Sequence, residues 1–312
     1  MPDVTVTSPR NIPLAKGSRL QEFEILDVVG EGGFGIVYLA ADRLLHRTVA
    51  VKEYMPGHLA TRGERESVVV HSERDQATFQ TGMKGFIAEA RMLAQFKHPA
   101  LVEVLRFWEQ NGTAYMVMPY YHGKTLRHAL RDAGAVVDER WLKTLFAPLL
   151  DALEMMHAQH VYHRDFSPDN IMVLEHGAPV LLDLGAARHI TGSVSQAVTA
   201  VLKPGFAPIE QYADDGSSGQ GPWTDIYAIG AVLYFCVTGR PPVASVSRVL
   251  NDSLERLDAG AYPRFGVRLL AGIHHALALR QEDRPQTITE LRAALDMVVG
   301  AASAPAPATA PT

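Results

Sequence analysis

The chain has 312 residues, of which 47% are apolar, and a formal net charge of −5 at pH 7. That is enough for one large domain or two lobes of ordinary globular composition. The mild negative balance gives no electrostatic reason to expect nucleic acid as the main partner. Cys236 is the single cysteine, which excludes an intrachain disulfide and fits a reducing compartment.

Residues 1–19 are rich in Pro, Thr and Ser, show no periodicity and contain no apolar signal-peptide core, so a disordered tail is expected there. Residues 20–118 read as a small lobe made mostly of strands. Phe23-Glu24-Ile25-Leu26 alternates loosely, a Gly-rich turn follows, and Ile36-Val37-Tyr38-Leu39, Val49-Ala50-Val51 and Tyr115 to Met118 are short apolar runs. Between them Phe86, Ala90, Leu93 and Ala94 share one helix face, and that helix should stop before Pro99. The stretch Tyr54 to Thr81 is long, and Glu66 to Val70 within it could add a strand. It reads either as a brace for the helix or as a docking surface for a regulatory partner, with bracing favoured because long idle loops are uncommon.

Residues 119–299 turn helical. Asp138 is a plausible N-cap for a helix with Leu142, Leu145, Phe146, Leu149 and Leu153 on one face. Ile226 to Val237 is apolar all round, which suggests a buried helix, and is too short to span a bilayer. Thr287-Ile288-Thr289-Glu290 reads as a capping box opening a last helix. Residues 300–312 are nearly all Ala, Pro, Ser and Thr, the composition of a linker. The expected fold class is α+β: a small, mainly antiparallel lobe with one principal helix, a larger helical lobe, and a ligand-binding cleft between them. The expected location is the cytoplasm, whether as a whole protein or as the cytoplasmic part of a longer, anchored one.

Gly30-Glu31-Gly32-Gly33-Phe34-Gly35-Ile36-Val37 fits G-x-G-x-x-G-x-V. Glycines let backbone N–H groups approach phosphate oxygens, although such clusters also make plain hairpin turns. A strand follows rather than a helix, which favours a phosphate-covering hairpin over a dinucleotide-binding unit. Lys52 ends the strand Val49-Ala50-Val51-Lys52, and Glu89 lies on the helix face with Phe86 and Leu93. Taken singly, each is more often a solvated charge. His163-Arg164-Asp165-Phe166-Ser167-Pro168-Asp169-Asn170 precedes Asp183-Leu184-Gly185. One carboxylate there can orient a hydroxyl and accept its proton. Another, with an amide oxygen, can hold a hard cation. His157, His160 and His163 share helical spacing, but their place beside this loop makes a metal site a poor reading. Asp214-Asp215, among Gly and Ser, reads as a solvated loop.

The chain resembles the bacterial serine/threonine protein kinases with the eukaryotic-like fold, from about Leu20 to Val299, through H-R-D-x-x-x-x-N, D-x-G, the Gly-rich loop and the Val-Ala-Val-Lys strand. Ala207-Pro208-Ile209-Glu210 resembles the close of the activation segment. Asp225 resembles the aspartate that holds the catalytic loop, and Arg284 would pair with Glu210. The resemblance implies an ATP- and Mg2+-dependent (Mn2+ being an acceptable substitute) transfer of the γ-phosphate to Ser or Thr of a protein substrate. Gly30, Gly32 and Gly35 would cover the phosphates. Lys52 would hold them with Glu89 behind it, Asp165 would orient the acceptor, and Asn170 and Asp183 would bind the metal. Adenine would lie between Val37 and Ala50 above and Met172 below, with Met118 as gatekeeper and Pro119 and Tyr121 at its edge. Val104, Leu93, Leu184 and His163 would stack between the lobes, which makes His163 a packed residue.

The chain departs from that family at two places. Ser167 stands where many members carry a lysine that touches the γ-phosphate. Lys203 falls where Ser/Thr-specific members usually have threonine. Two readings follow: Lys203 delivers its ammonium to the place Ser167 leaves empty, or it is simply solvated. Ser167 also supports an alternative function, a pseudokinase acting as a nucleotide-binding signalling scaffold. A small-molecule kinase is disfavoured by Ala207 to Glu210 and Arg284. Arg164 and the hydroxyls of Thr191, Ser193, Ser195 and Thr199 suggest autophosphorylation of the activation segment.

Overall fold

The computed structural model describes residues 12–132, 137–184, 202–212 and 219–297. Thr191, Ser193, Ser195, Thr199, Asp214 and Asp215 lie outside these residues. The chain opens with β1 (Arg19–Leu20), β2 (Phe23–Gly32), β3 (Gly35–Asp42) and β4 (Arg47–Tyr54). A hairpin of β5 (Ala60–Arg62) and β6 (Val68–Val70), the helix α1 (Glu73–Leu93), β7 (Arg106–Gln110) and β8 (Thr113–Pro119) complete the first lobe. Six of these strands form one sheet in the order β1-β2-β3-β4-β8-β7, antiparallel throughout.

Strand β4 shows why the sheet can serve two cores. Side chains alternate across a strand. Val49 and Val51 therefore join Ile25, Ile36, Tyr38, Tyr115 and Val117 on one face, while Ala50 and Tyr54 join Phe79, Phe86, Ala90 and Met116 under α1 on the other. Lys52 shares the α1 face, and Glu53 points into the opposite core, where it is fully buried. The stretch 54–81 becomes the β5–β6 hairpin and the first turns of α1. Leu59 and Ala60 pack in the same cluster as Phe79 and Met83, so the hairpin braces the helix.

Residues 12–19 depart from the expected disorder. Leu14 is buried, its N–H donates to the Tyr38 hydroxyl at 3.0 Å, and the Gly17 N–H donates to the Ile25 carbonyl at 2.8 Å. Long-range partners on the sheet order a segment whose composition alone suggested none.

The second lobe runs through β9 (Gly123–Thr125), α2 (Leu126–Arg131), α3 (Glu139–His157), β10 (Ile171–Leu174), β11 (Pro179–Leu181), α4 (Pro222–Thr238), α5 (Ser245–Leu250), α6 (Val267–Ala276) and α7 (Ile288–Ala294). Asp138 caps α3, accepting from the Trp141 N–H at 2.8 Å. Helix α4 is buried along nearly its whole length and ends at Gly239, whose φ of 73° is left-handed. The expected capping box of α7 forms only in part. The Thr287 hydroxyl accepts from the Glu290 N–H at 3.1 Å, but the Glu290 carboxylate accepts from the Gln286 N–H at 2.7 Å instead of from Thr287.

The chain after α1 stitches the lobes together. The Val102 N–H donates to the Leu181 carbonyl at 2.9 Å, and the Leu181 N–H donates to the Ala100 carbonyl at 2.8 Å. Among the described residues no helix is long and apolar enough to cross a membrane.

Candidate active site

The glycine loop is the β2–β3 hairpin, with Gly32 paired to Gly35 across the turn. Gly35 is glycine for a packing reason. A Cβ there would overlap the Glu53 carbonyl oxygen and stand 3.3 Å from the carbonyl carbon. Next in the sheet, Lys52 pairs with Val37 and Met116, which holds its side chain under the hairpin. Its ammonium donates to Asp183 at 2.7 Å, stands 3.9 Å from the Glu89 carboxylate and lies 5.8 Å from the centre of the Phe86 ring. Three segments far apart in sequence thus meet at one cation.

Burial shifts these groups in different directions. It penalises the Glu89 carboxylate, whose Oε1 has no hydrogen-bond partner, and lifts that carboxyl to about 7 against the pull of Lys52. Burial alone would also lower Lys52, but Asp183 and Glu89 outweigh it and hold the ammonium above its usual range. Asp183 is held below the carboxylate range, because Lys52 outweighs the burial that would raise it.

The loop carrying Asp165 is fixed from beneath by Asp225 on α4. This fully buried carboxylate accepts from the His163 N–H at 2.8 Å, from the Arg164 N–H at 2.7 Å and from His157 Nε2 at 2.7 Å. Arg164 takes a φ of 64°, an uncommon left-handed conformation for a side-chain-bearing residue, which the three anchors sustain. His163 is fully buried and accepts the Asp165 N–H through Nδ1 at 3.2 Å, so it packs and positions. Burial lowers its pKa, which keeps the ring neutral.

The Asn170 amide donates to the Asp165 carbonyl at 2.8 Å and to Asp165 Oδ2 at 2.7 Å, which leaves its side-chain oxygen available as a ligand. The Leu182 N–H donates to the Asn170 carbonyl at 2.8 Å, and that bond sets Asp183 beside it. The Asp183 side chain remains 42% exposed towards the cleft. Two oxygen donors suit a hard cation such as Mg2+, with phosphate and water oxygens completing its octahedron. Among the described residues no group of three or more His, Cys, Asp or Glu side chains could hold a metal unaided.

Lys203 is presented by a tight turn in which the Phe206 and Ala207 N–H groups donate to its carbonyl at 3.0 and 3.2 Å. Gly205 takes a φ of 87° there. The Lys203 ammonium donates to the Ser167 hydroxyl at 2.7 Å and stands 3.5 Å from the Asp165 carboxylate. Below this turn Glu210 and Arg284 form a buried pair at 2.7 Å, and the Thr224 hydroxyl donates to the same carboxylate at 3.1 Å.

A cavity of about 300 Å³ joins these parts. Gly30 to Gly35, Val37, Lys52, Glu89, Asp165, Asp183 and Leu184 line it. Tyr54, Pro56, His58, Leu59, Gly82 and Phe86, none of which the sequence motifs single out, line it as well. Ala50, Met118, Pro119, Tyr121 and Met172, expected around adenine, do not line it. Ala50 pairs with Met118, Pro119 ends β8, Tyr121 follows it in the linker, and Met172 lies on β10 opposite Thr125.

Comparison with known proteins identifies the family and the fold. A model described as "Protein kinase domain" matches residues 23–259. The serine/threonine-protein kinase PknB of Mycobacterium tuberculosis is 31% identical over 287 residues, covering 88% of this chain and 42% of that protein. Sperm motility kinase 1 of Mus musculus is 29% identical over 265 residues, covering 85% and 49%. The chain therefore spans less than half the length of these curated relatives. The solved apo form of PpkA-294 superposes with a TM-score of 0.84 at 49% identity, covering 91% of this chain and 99% of that one. The kinase domain of M. tuberculosis PknI superposes with a TM-score of 0.65 at 20% identity, covering 91% and 99%, a likeness of fold.

Proposed function

This chain belongs to the protein kinase family, and from that premise we propose that it transfers the γ-phosphate of ATP to serine or threonine hydroxyls of other proteins. The observation that carries the reading is the convergence of Lys52, Glu89, Asp165, Asn170 and Asp183 on one cleft. Lys52 holds the α- and β-phosphates under the glycine loop, and Glu89 backs it. Asp165 orients the acceptor hydroxyl and takes its proton. Asn170 and Asp183 would hold Mg2+, which supplies charge neutralisation at the transferring phosphate when bound. By the family resemblance, Met118, Pro119 and Tyr121, with Val37, Ala50 and Met172, would receive the adenine, although of these only Val37 lines the cavity of about 300 Å³.

Lys203 supplies the cation that Ser167 cannot. Its ammonium lies 2.7 Å from the Ser167 hydroxyl and 3.5 Å from the Asp165 carboxylate, which supports that reading. The scaffold reading drew its support from Ser167, and a cation beside that hydroxyl weakens it. The Arg164 Nε is buried without a hydrogen-bond partner, which fits a phosphate arriving on the activation segment and hence autophosphorylation there. The site of action we assign is the cytoplasm.

The test is incubation with Mg2+ and γ-labelled ATP in the presence of a generic basic protein, followed by phosphoamino acid analysis. Label on serine or threonine is expected. Label on tyrosine, or none despite ATP binding, would overturn the reading.

A further inference from the structure

The helix that carries Glu89 has a glycine, Gly82, seven residues earlier, inside its run. Glycine is a poor residue for a helix interior, and alanine would be favoured there on propensity alone. A packing reason is visible where α1 meets β4. A Cβ on Gly82 would overlap the Tyr54 hydroxyl oxygen and stand 2.9 Å from Tyr54 Cζ. The Tyr54 ring fills the notch so formed, with its centroid 5.2 Å from that of Phe79 and 6.0 Å from that of Phe86. It is buried, and burial pushes its phenol well above the usual range, so the group stays neutral.

Tyr54 is tied at its backbone to the parts that handle the nucleotide. It lies two residues beyond Lys52 on the same face of β4, it pairs with Gly35, the last glycine of the loop, and its carbonyl accepts from the Thr113 hydroxyl. On the helix, Phe86 stands between Gly82 and Glu89 and touches both ends of the arrangement, packing on Tyr54 and lying beneath Lys52. The phenol ring and the glycine therefore meet at the junction of α1 and β4.

We propose that Tyr54 is a positioning residue whose ring, seated in the notch left by Gly82, sets how closely Glu89 on α1 approaches Lys52 on β4. The present separation of 3.9 Å is longer than a direct charged hydrogen bond. Any outward shift of the helix breaks the pair, and an inward shift is limited by the ring. The inference rests on reading Lys52 and Glu89 as the nucleotide-holding pair.

The experiment is a double-mutant cycle read in turnover, ATP KM and melting temperature. Gly82→Ala is expected to lower kcat on the order of 10- to 100-fold, the scale of an ångström-sized misplacement, without lowering the melting temperature. Tyr54→Phe, which removes the closer of the two overlapping atoms and keeps Cζ, is expected to raise kcat part of the way back in the Gly82→Ala background. A fall and partial recovery of kcat at an unchanged melting temperature is the readout a merely structural role would not give. If Gly82→Ala lowers the melting temperature, Gly82→Ser, which adds the same Cβ, must show the same relief by Tyr54→Phe. Wild-type turnover in Gly82→Ala, or a loss that Tyr54→Phe does not relieve, overturns the proposal. Failure of the underlying reading is distinguishable, because Lys52→Met would then leave transfer intact.

Discussion

Lys52 sits closer to Asp183, at 2.7 Å, than to Glu89, at 3.9 Å. With Asp183 released to a metal, Glu89 becomes the main anion holding the lysine, so its protonation state matters.

Burial lifts the Glu89 carboxyl from its ordinary value of 4.5 to about 7. Below that pH the folded protein keeps the proton and Glu89 cannot pair as an anion. kcat/KM for ATP, which reports the free enzyme, should therefore rise with pH through about 7. The stability term runs the other way. A carboxyl raised on folding favours the native state fully below about 4.5, and that contribution is lost as pH rises to about 7. A pH–rate profile of wild type beside Glu89→Gln checks this. The limb near 7 should vanish in the variant, and its survival would assign it to another group.

Arg62 clamps Glu53 behind the nucleotide-facing strand. Its guanidinium donates to both carboxylate oxygens at 2.7 and 2.6 Å, and the Tyr38 and Tyr115 hydroxyls donate to the same group at 2.7 and 2.9 Å. Removing one partner strands a buried charge. Arg62→Ala should cost about 3–5 kcal/mol in urea unfolding. A change below about 1 kcal/mol would mean that water replaces the arginine.

Arg284 should behave similarly, because it donates to Glu210 at 2.7 Å while almost wholly buried. Arg284→Ala is expected to lose about 3–5 kcal/mol, whereas Arg240→Ala, whose pair with Glu255 is exposed, should lose less than about 1 kcal/mol. Equal losses would contradict the burial argument.

Much of the site was legible because its chemistry is carried by short runs. Gly30 to Val37 and His163 to Asn170 fold locally, and their spacing survives into the structure. Glu89 was readable because one helical face carries Phe86 and Leu93 with it. Lys203 was readable as a departure from the family pattern, and the turn at Gly205 brings its ammonium to the Ser167 hydroxyl. Other partnerships left no local pattern. Arg62 reaches Glu53 from an inserted hairpin, Leu14 reaches Tyr38 across 24 residues, and Gly82 meets Tyr54 between α1 and β4. None of these has a period, and each depends on which face of β3, β4 or α1 packs against what.

The most direct measurement is single-turnover phosphoryl transfer by wild type, Lys203→Met and Lys203→Met/Ser167→Lys. Loss of a preorganised charge at the transferring phosphate should slow Lys203→Met by on the order of 100-fold. Lysine at position 167 should recover a substantial part of that loss, since it returns a cation beside Asp165 from the residue that Lys203 contacts. Unaltered transfer in Lys203→Met, or a double variant as slow as the single one, would contradict the account.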